Sequence, residues 1–109
     1  MQAILIDPFK QEIHPVEYSG DYTEIQKLLG CKWFTCAYPP NLNGDVIYVD
    51  DEGLYVEDQR FFMIEGYPHP LAGYGLLLGT NDEGESVRPK SNVMDLIQRL
   101  SFADIEFSI

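Results

Sequence analysis

A glycine-rich segment between residues 65 and 80 holds the residues best suited to binding a small ligand. Its four glycines expose backbone N–H groups, which hold phosphates in many proteins, and its aromatic rings offer flat faces. The glycines do not precede a helix, however, and neither a Gly-Lys-Ser nor a Gly-x-Gly-x-x-Gly pattern is present. Tight turns and a connection stiffened by proline explain the same composition. The candidate ligand-binding residues are Tyr67, His69, Gly73, Tyr74 and Gly75.

A second candidate is the acidic turn formed by Asp50, Asp51 and Glu52. Together with the nearby Asp45 and Glu57, this turn could supply carboxylate oxygens to Ca²⁺ or Mg²⁺. The carboxylates lack the alternating spacing of a helix-loop-helix calcium loop, and no histidine joins them. We therefore expect a solvated turn without a metal ion, and keep its three carboxylates as candidate partner-binding residues.

Two histidines, His14 and His69, are available for acid–base catalysis. His14 falls in an expected strand, and His69 is flanked by prolines, with no Ser or Cys in a recognisable nucleophile setting. The sequence assembles no triad, carboxylate pair or metal set. We expect a protein that is not an enzyme and takes no cofactor, while a small enzyme that uses His69 stays open as an alternative.

The balance of charge restricts the partners. Eighteen Asp and Glu residues against seven Lys and Arg residues give a formal net charge of -11. Binding to nucleic acid or to an anionic membrane needs clustered basic residues, and here they are few and scattered. Such a chain attracts basic proteins, or imitates a nucleic-acid backbone for a protein that normally binds one. The alternative is that the acidity only maintains solubility.

The sequence predicts residence in the cytoplasm. The apolar run at residues 2–6 has no basic residues before it and is interrupted by Asp7 and Pro8, unlike a signal peptide. No apolar stretch approaches the ~20 residues of a transmembrane helix. Cys31 and Cys36 lack the spacing of a redox or zinc motif, so both are expected to be reduced thiols.

Hydrophobic periodicity and turn residues predict strands at residues 2–7, 12–18, 33–38, 45–49, 54–56, 61–65, 73–78 and 105–109. Helices are predicted at residues 21–30 and 91–100. In the first helix, Asp21 and Glu24 match the capping-box pattern, and Gly30 is the expected end. Pro15 cannot donate to a ladder, which favours an edge or a kink for the second strand.

Chain length and element order then define the expected fold. A chain of 109 residues is near the usual size of one domain, so we expect a single domain over residues 1–109. Short connections between the strands favour antiparallel pairing. We expect an α+β fold, with a mostly antiparallel sheet of about five to seven strands and two helices packed on one face.

Four motifs give the chain a family resemblance: Met1-x-Ala-Ile-Leu-Ile-Asp-Pro, Tyr48-Val-Asp-Asp-Glu-Gly, Gly66-Tyr-Pro-x-Pro-Leu-Ala-Gly and Leu78-Gly-Thr-x-Asp-Glu-Gly-Glu. With them the chain resembles a small-protein family catalogued as domain of unknown function 3846, whose members occur in bacteria and on their phages and plasmids. The resemblance carries no established catalytic residues. It implies the setting of a mobile element, where small proteins often bind and disable a host factor.

Three hypotheses for the function follow. The first is a phage or plasmid protein that inhibits a host defence protein by presenting an acidic surface in place of nucleic acid. The second is a protein that sequesters a nucleotide-like signal with the 66–79 loop, using Tyr67 and Tyr74. The scarcity of Lys and Arg counts against this second hypothesis, because phosphate groups usually require them. The third is the enzyme that uses His69.

Overall fold

The computed structural model describes residues 1–103, and the strand predicted at residues 105–109 lies outside the described residues. The elements, in chain order, are β1 Gln2–Asp7, β2 Glu12–Glu17, α1 Tyr22–Leu29, β3 Phe34–Ala37, β4 Val46–Asp50, β5 Phe61–Ile64, β6 Leu71–Ala72, β7 Gly75–Thr80, β8 Ser86–Val87, α2 Val93–Arg99 and β9 Leu100–Ala103. The strands β6, β8 and β9 were not predicted from the sequence. No helix within residues 1–103 is long and apolar enough to cross a membrane.

The larger sheet runs in the order β2-β1-β7-β4-β3, and β8 pairs with the far end of β7. Every pairing in it is antiparallel. Its central strand, β7, has three consecutive leucines, Leu76 to Leu78, without exposed surface. A strand that is apolar on both sides must be covered on both sides of the sheet. The predicted α+β class with a mainly antiparallel sheet is confirmed.

The two helices lie on opposite faces of this sheet, so the prediction that both pack on one face is wrong. In α1, Ile25 and Leu29 pack with Leu76 and Leu78, whereas Leu96 of α2 packs in the other cluster with Leu77. Alternate residues of a strand point to opposite faces, which places the two clusters on the two sides of β7. The leucine run needs cover on each face, and the structure places one helix on each.

A second, three-stranded sheet in the order β6-β5-β9 covers the α2 side of the larger sheet. Its Phe62 has no exposed surface and belongs to the same core cluster as Leu77 and Leu96. Residues 54–56, predicted as a strand, instead begin in a 3₁₀ turn at Gly53–Tyr55. In that turn the Tyr55 N–H donates to the Glu52 carbonyl at 3.0 Å, so its backbone is bonded locally rather than to a neighbouring strand.

Local sequence signals locate several element ends correctly. The Asp21 side chain accepts from the Thr23 N–H, and Gly30 ends α1 in the left-handed region at φ 65°. The Glu24 carboxylate accepts from Ser19, five residues before it, instead of completing a capping box with Asp21. Pro15 lies in β2 at the edge of the sheet, as predicted.

Candidate functional site

Packing inside the protein accounts for both glycines among the predicted ligand-binding residues. Gly75 begins β7, and a Cβ there would lie 2.8 Å from the Cζ atom of the buried Phe62 ring. Gly73 adopts φ 78°, and a Cβ there would lie 3.4 Å from the side-chain amide nitrogen of Gln59. Both glycines are buried. The close approach of Phe62 explains Gly75, and the left-handed backbone conformation explains Gly73, in each case without a ligand.

The aromatic residues of the same segment are divided between the two faces of the sheet. Tyr67 packs against the core on the α2 side, and its ring meets the His69 ring edge-on with centroids 4.9 Å apart. Tyr74 packs on the α1 side, where its ring centroid lies 5.2 Å from that of Phe9. The structure therefore does not bring Tyr67 and Tyr74 together around one ligand.

The two histidines also have separate surroundings. The Nδ1 atom of His69 lies 3.1 Å from the Pro70 carbonyl oxygen, on the exposed side of the loop. The His14 Nδ1 atom lies 3.9 Å from a carboxylate oxygen of Glu12 in the same strand. Within the described residues, no group of three or more His, Cys, Asp or Glu side chains is placed to hold a metal ion.

The acidic turn opens an exposed loop with an unusual composition, which we call the 51–58 loop (Asp51 to Asp58). The Asp50 carboxylate accepts from the Glu52 N–H at 2.9 Å, and the Asp51 N–H donates to the Trp33 carbonyl at 3.0 Å. The loop then presents three consecutive apolar side chains to solvent, with Leu54 59% exposed, Tyr55 81% and Val56 47%. The carboxylates that flank these side chains, all exposed, are Asp51, Glu52, Glu57 and Asp58.

The base of the 51–58 loop is tied to the second sheet. The Gly53 carbonyl accepts from the Gln59 side chain at 2.7 Å, and a Cβ at Gly53 would lie 3.0 Å from that of Ala72. Gln59 in turn packs beside Gly73, and the Gly73 N–H donates to the Arg60 carbonyl at 2.8 Å. The acidic turn and the glycine-rich segment, predicted as separate candidates, therefore meet here, with the glycines behind the exposed loop.

Asp51 and Glu52 were identified from the sequence as candidate residues of the 51–58 loop, but the apolar residues of the loop were not identified as exposed. Leu54, Tyr55 and Val56 were read as strand residues, whose side chains ordinarily alternate between core and solvent. Trp33, whose side chain is 59% exposed, lies next to the start of the loop, because its carbonyl accepts from the Asp51 N–H. The Lys32 ammonium lies 5.8 Å from the centre of the Trp33 ring. The sequence signal that could have indicated this exposed apolar surface is an apolar tripeptide with two carboxylates on each side.

The two cysteines, Cys31 and Cys36, are free thiols. Burial raises the pKa of the Cys31 thiol to about 11, and the negative charge of Asp50 adds to the effect. Burial also raises the pKa of Cys36, against the opposing effect of hydrogen bonds with Tyr38 and Tyr48. A higher thiol pKa leaves less thiolate at neutral pH, so neither cysteine is set up as a nucleophile.

Slow alkylation of Cys31 is the expected consequence. In a Cys36→Ala variant at pH 8, we expect iodoacetamide to react about tenfold more slowly with the folded than with the urea-unfolded protein. The raised pKa lowers the fraction of thiolate more than it increases the nucleophilicity of each thiolate. The rate for the folded protein should keep rising above pH 10, because the pKa of Cys31 is about 11. The alkylation rate is measured by mass spectrometry of quenched samples. A rate that stops rising near pH 9 would contradict the raised pKa.

A family model described as a domain of unknown function (DUF3846) matches residues 1–101. No curated protein and no solved structure matches the sequence. The matched range includes both helices, the whole larger sheet and the 51–58 loop. The family description names no activity, so the surface chemistry is the basis for an assignment of function.

Proposed function

The chain belongs to the DUF3846 family, and we propose that it is a non-catalytic binding protein that captures a basic protein through the 51–58 loop. We further propose that it acts as an accessory of a phage or other mobile element and disables a host defence factor in the host cytoplasm. The resemblance of its motifs to small proteins carried on phages and plasmids motivates this second part. The 51–58 loop motivates the first.

The observation that carries the proposal is the exposure of Leu54, Tyr55 and Val56 among four carboxylates. Single exposed apolar side chains are ordinary, but three in one short loop concentrate apolar surface, and such concentrations mark binding surfaces. Protein interfaces combine an apolar centre, in which Tyr and Trp contribute most of the energy, with a polar rim. Tyr55 supplies such a centre, and the carboxylates supply a negatively charged rim.

The anchoring of the loop supports the same proposal. Binding requires side chains and loops to become ordered, and that loss of freedom weakens affinity. Here the hydrogen bond from Gln59 and the contact with Ala72 already hold Gly53, next to the apolar tripeptide. These contacts fix the backbone where the tripeptide begins, which reduces the ordering that binding requires at that point.

Charge identifies the kind of partner. The net charge of -11 attracts a positively charged protein from a distance and accelerates its encounter, and salt weakens that attraction. Complementary charge around an apolar centre also excludes acidic competitors. A protein that binds nucleic acid through a basic surface, with an apolar pocket for Tyr55, has the required chemistry.

Affinity capture with two charge-matched variants tests the proposal. The loop variant carries Asp51→Asn, Glu52→Gln, Glu57→Gln and Asp58→Asn. The control variant neutralises four exposed carboxylates elsewhere by Glu12→Gln, Glu65→Gln, Asp82→Asn and Glu83→Gln. Both variants have the same net charge. A difference in the amount of partner that they capture therefore depends on where the carboxylates lie and not on the total charge. Tagged proteins are used to capture partners from bacterial lysate at low and high salt.

We expect the wild-type protein and the control variant to retain the same basic protein at low salt and to release most of it at high salt. The loop variant should retain much less of it at low salt. Equal loss from both variants would show that total charge alone attracts the protein, and would overturn the assignment to the loop. No partner at either salt concentration would overturn the binding function.

A further inference from the structure

A cleft of about 390 Å³ lies on the α2 side of the larger sheet, away from the 51–58 loop. One wall is formed by Gln2 and Ile4 of β1 and by Pro15 of β2, and the other by the segment from Arg88 to Val93. The volume falls within the range of small-molecule sites, roughly 300 to 1,000 Å³. Two of its nine lining residues are basic and none is acidic, in a chain where acidic residues outnumber basic ones by more than two to one.

The segment that carries the basic residues is held by a buried carboxylate. Asp45 is 2% exposed, and its two oxygens accept from the Lys90 N–H at 3.0 Å and the Ser91 N–H at 2.7 Å. The Ser91 hydroxyl donates to the Leu42 carbonyl at 3.1 Å. The Arg88 carbonyl approaches Gly79 so closely that a Cβ there would lie 2.6 Å from its oxygen. The wall of the cleft is therefore fixed on two sides.

The basic side chains at the cleft are not neutralised by the protein. The Arg88 guanidinium donates to the side-chain oxygen of Gln2 at 3.4 Å, and neither Arg88 nor Lys90 has a carboxylate within ion-pair distance among the described residues. The carboxylates of Asp45 and Asp95, which are bonded to the backbone of the cleft wall, already accept N–H groups from Lys90, Ser91 and Asn92. Two unpaired cations at one cleft create a local preference for an anion.

From this arrangement we propose that the cleft binds a phosphate monoester of about the size of a mononucleotide. Arg88 and Lys90 contact the phosphate group, and the organic part lies against the apolar surface of Ile4, Pro15 and Val93. The site is independent of the 51–58 loop, and its anion-binding groups are two basic side chains and not the backbone of the glycine-rich segment. The apolar wall favours an ester over the free ion, because burying an organic group adds to the affinity.

Titration followed by ¹H–¹⁵N NMR tests the site with three probes: AMP, adenosine and inorganic phosphate. We expect AMP to bind with a Kd below about 1 mM and to shift the amide signals of Gln2, Ile4 and residues 90–93. Adenosine and inorganic phosphate should each bind at least about tenfold more weakly, since each lacks one half of the contacts. The amides of the 51–58 loop should not shift, so the result is separate from the test of partner capture.

Paired variants identify the side chains responsible. Arg88→Gln combined with Lys90→Gln should weaken AMP binding at least about tenfold, because each lost cation removes a charge-assisted hydrogen bond. The control, Lys10→Gln combined with Lys27→Gln, makes the same charge change outside the cleft and should retain most of the affinity. Unchanged binding in the first variant, equal binding of inorganic phosphate and AMP, or no amide shift with millimolar AMP would each overturn the proposal.

Discussion

Replacing the buried Asp45 with alanine is expected to lower the free energy of unfolding by about 3 kcal/mol. Its carboxylate accepts two backbone N–H groups, from Lys90 and Ser91, and Ser91 is itself only 4% exposed. Alanine leaves both donors without this acceptor, the Ser91 N–H in a buried site and the Lys90 N–H in a partly buried one, and an unsatisfied buried group costs roughly 1 to 3 kcal/mol. For a small domain whose total stability is about 5 to 15 kcal/mol, this is a large loss.

Urea denaturation followed by circular dichroism measures the effect. Asp45→Asn keeps one acceptor oxygen and should lose an intermediate amount of stability, whereas Asp82→Ala at an exposed turn should stay within about 0.5 kcal/mol of the wild type. A graded loss from Asp82→Ala through Asp45→Asn to Asp45→Ala supports the buried network. If Asp45→Ala unfolds at the same urea concentration as the wild type, the network does not stabilise the protein.

Tyr55→Ala should weaken binding of the captured partner by about 2 kcal/mol or more, which is roughly a 30-fold increase in Kd. Among residues 1–103, Tyr55 is the most exposed of the large apolar side chains, and truncating a central tyrosine of an interface removes much of its buried area. Because its side chain contributes little to the core, the free energy of unfolding should change by less than about 0.5 kcal/mol.

Calorimetric titration with the purified partner measures the increase in Kd caused by Tyr55→Ala and compares it with the increase caused by a substitution of another exposed tyrosine. Tyr22→Ala removes another exposed ring, 65% exposed, at the start of α1 and away from the 51–58 loop. It should leave the Kd within about twofold of the wild-type value. Equal weakening by the two substitutions, or none by Tyr55→Ala, would mean that the loop is not the centre of the interface.

The parts of the fold that were predictable depend on residues close together in the chain. Asp21 and Gly30 mark the ends of α1 through local backbone geometry, and Pro15 lies at a sheet edge because it has no N–H to donate. The apolar run of β7 indicates a buried strand from composition alone. In each case, the physical cause is contained within a few residues of the sequence.

Other features depend on contacts between distant residues, and the sequence could not show them. The partners of Asp45 are 45 and 46 residues away, so its carboxylate was grouped with the acidic turn instead of with the buried core. The side of the sheet that each helix covers depends on the path of the connections, which periodicity does not encode. The helix placement was wrong for that reason.

The candidate site was predictable in part. The acidic turn was identified, but the tripeptide Leu54-Tyr55-Val56 has a strand-like composition, and its exposure results from the 3₁₀ turn that precedes Val56 and from the Gln59 hydrogen bond to Gly53. The glycine-rich segment was given a ligand-binding role because its glycines appeared free. Gly75 instead makes room for Phe62 across the core.

Site-specific photo-crosslinking tests the central claim, that the 51–58 loop contacts a basic protein, most directly. A benzophenone amino acid replaces Tyr55 in one protein and Tyr22 in a matched protein, and each is irradiated in bacterial lysate at low salt. We predict one dominant adduct with a basic protein from position 55, reduced at high salt, and no such adduct from position 22. No adduct from position 55, or the same adducts from both positions, would contradict the claim.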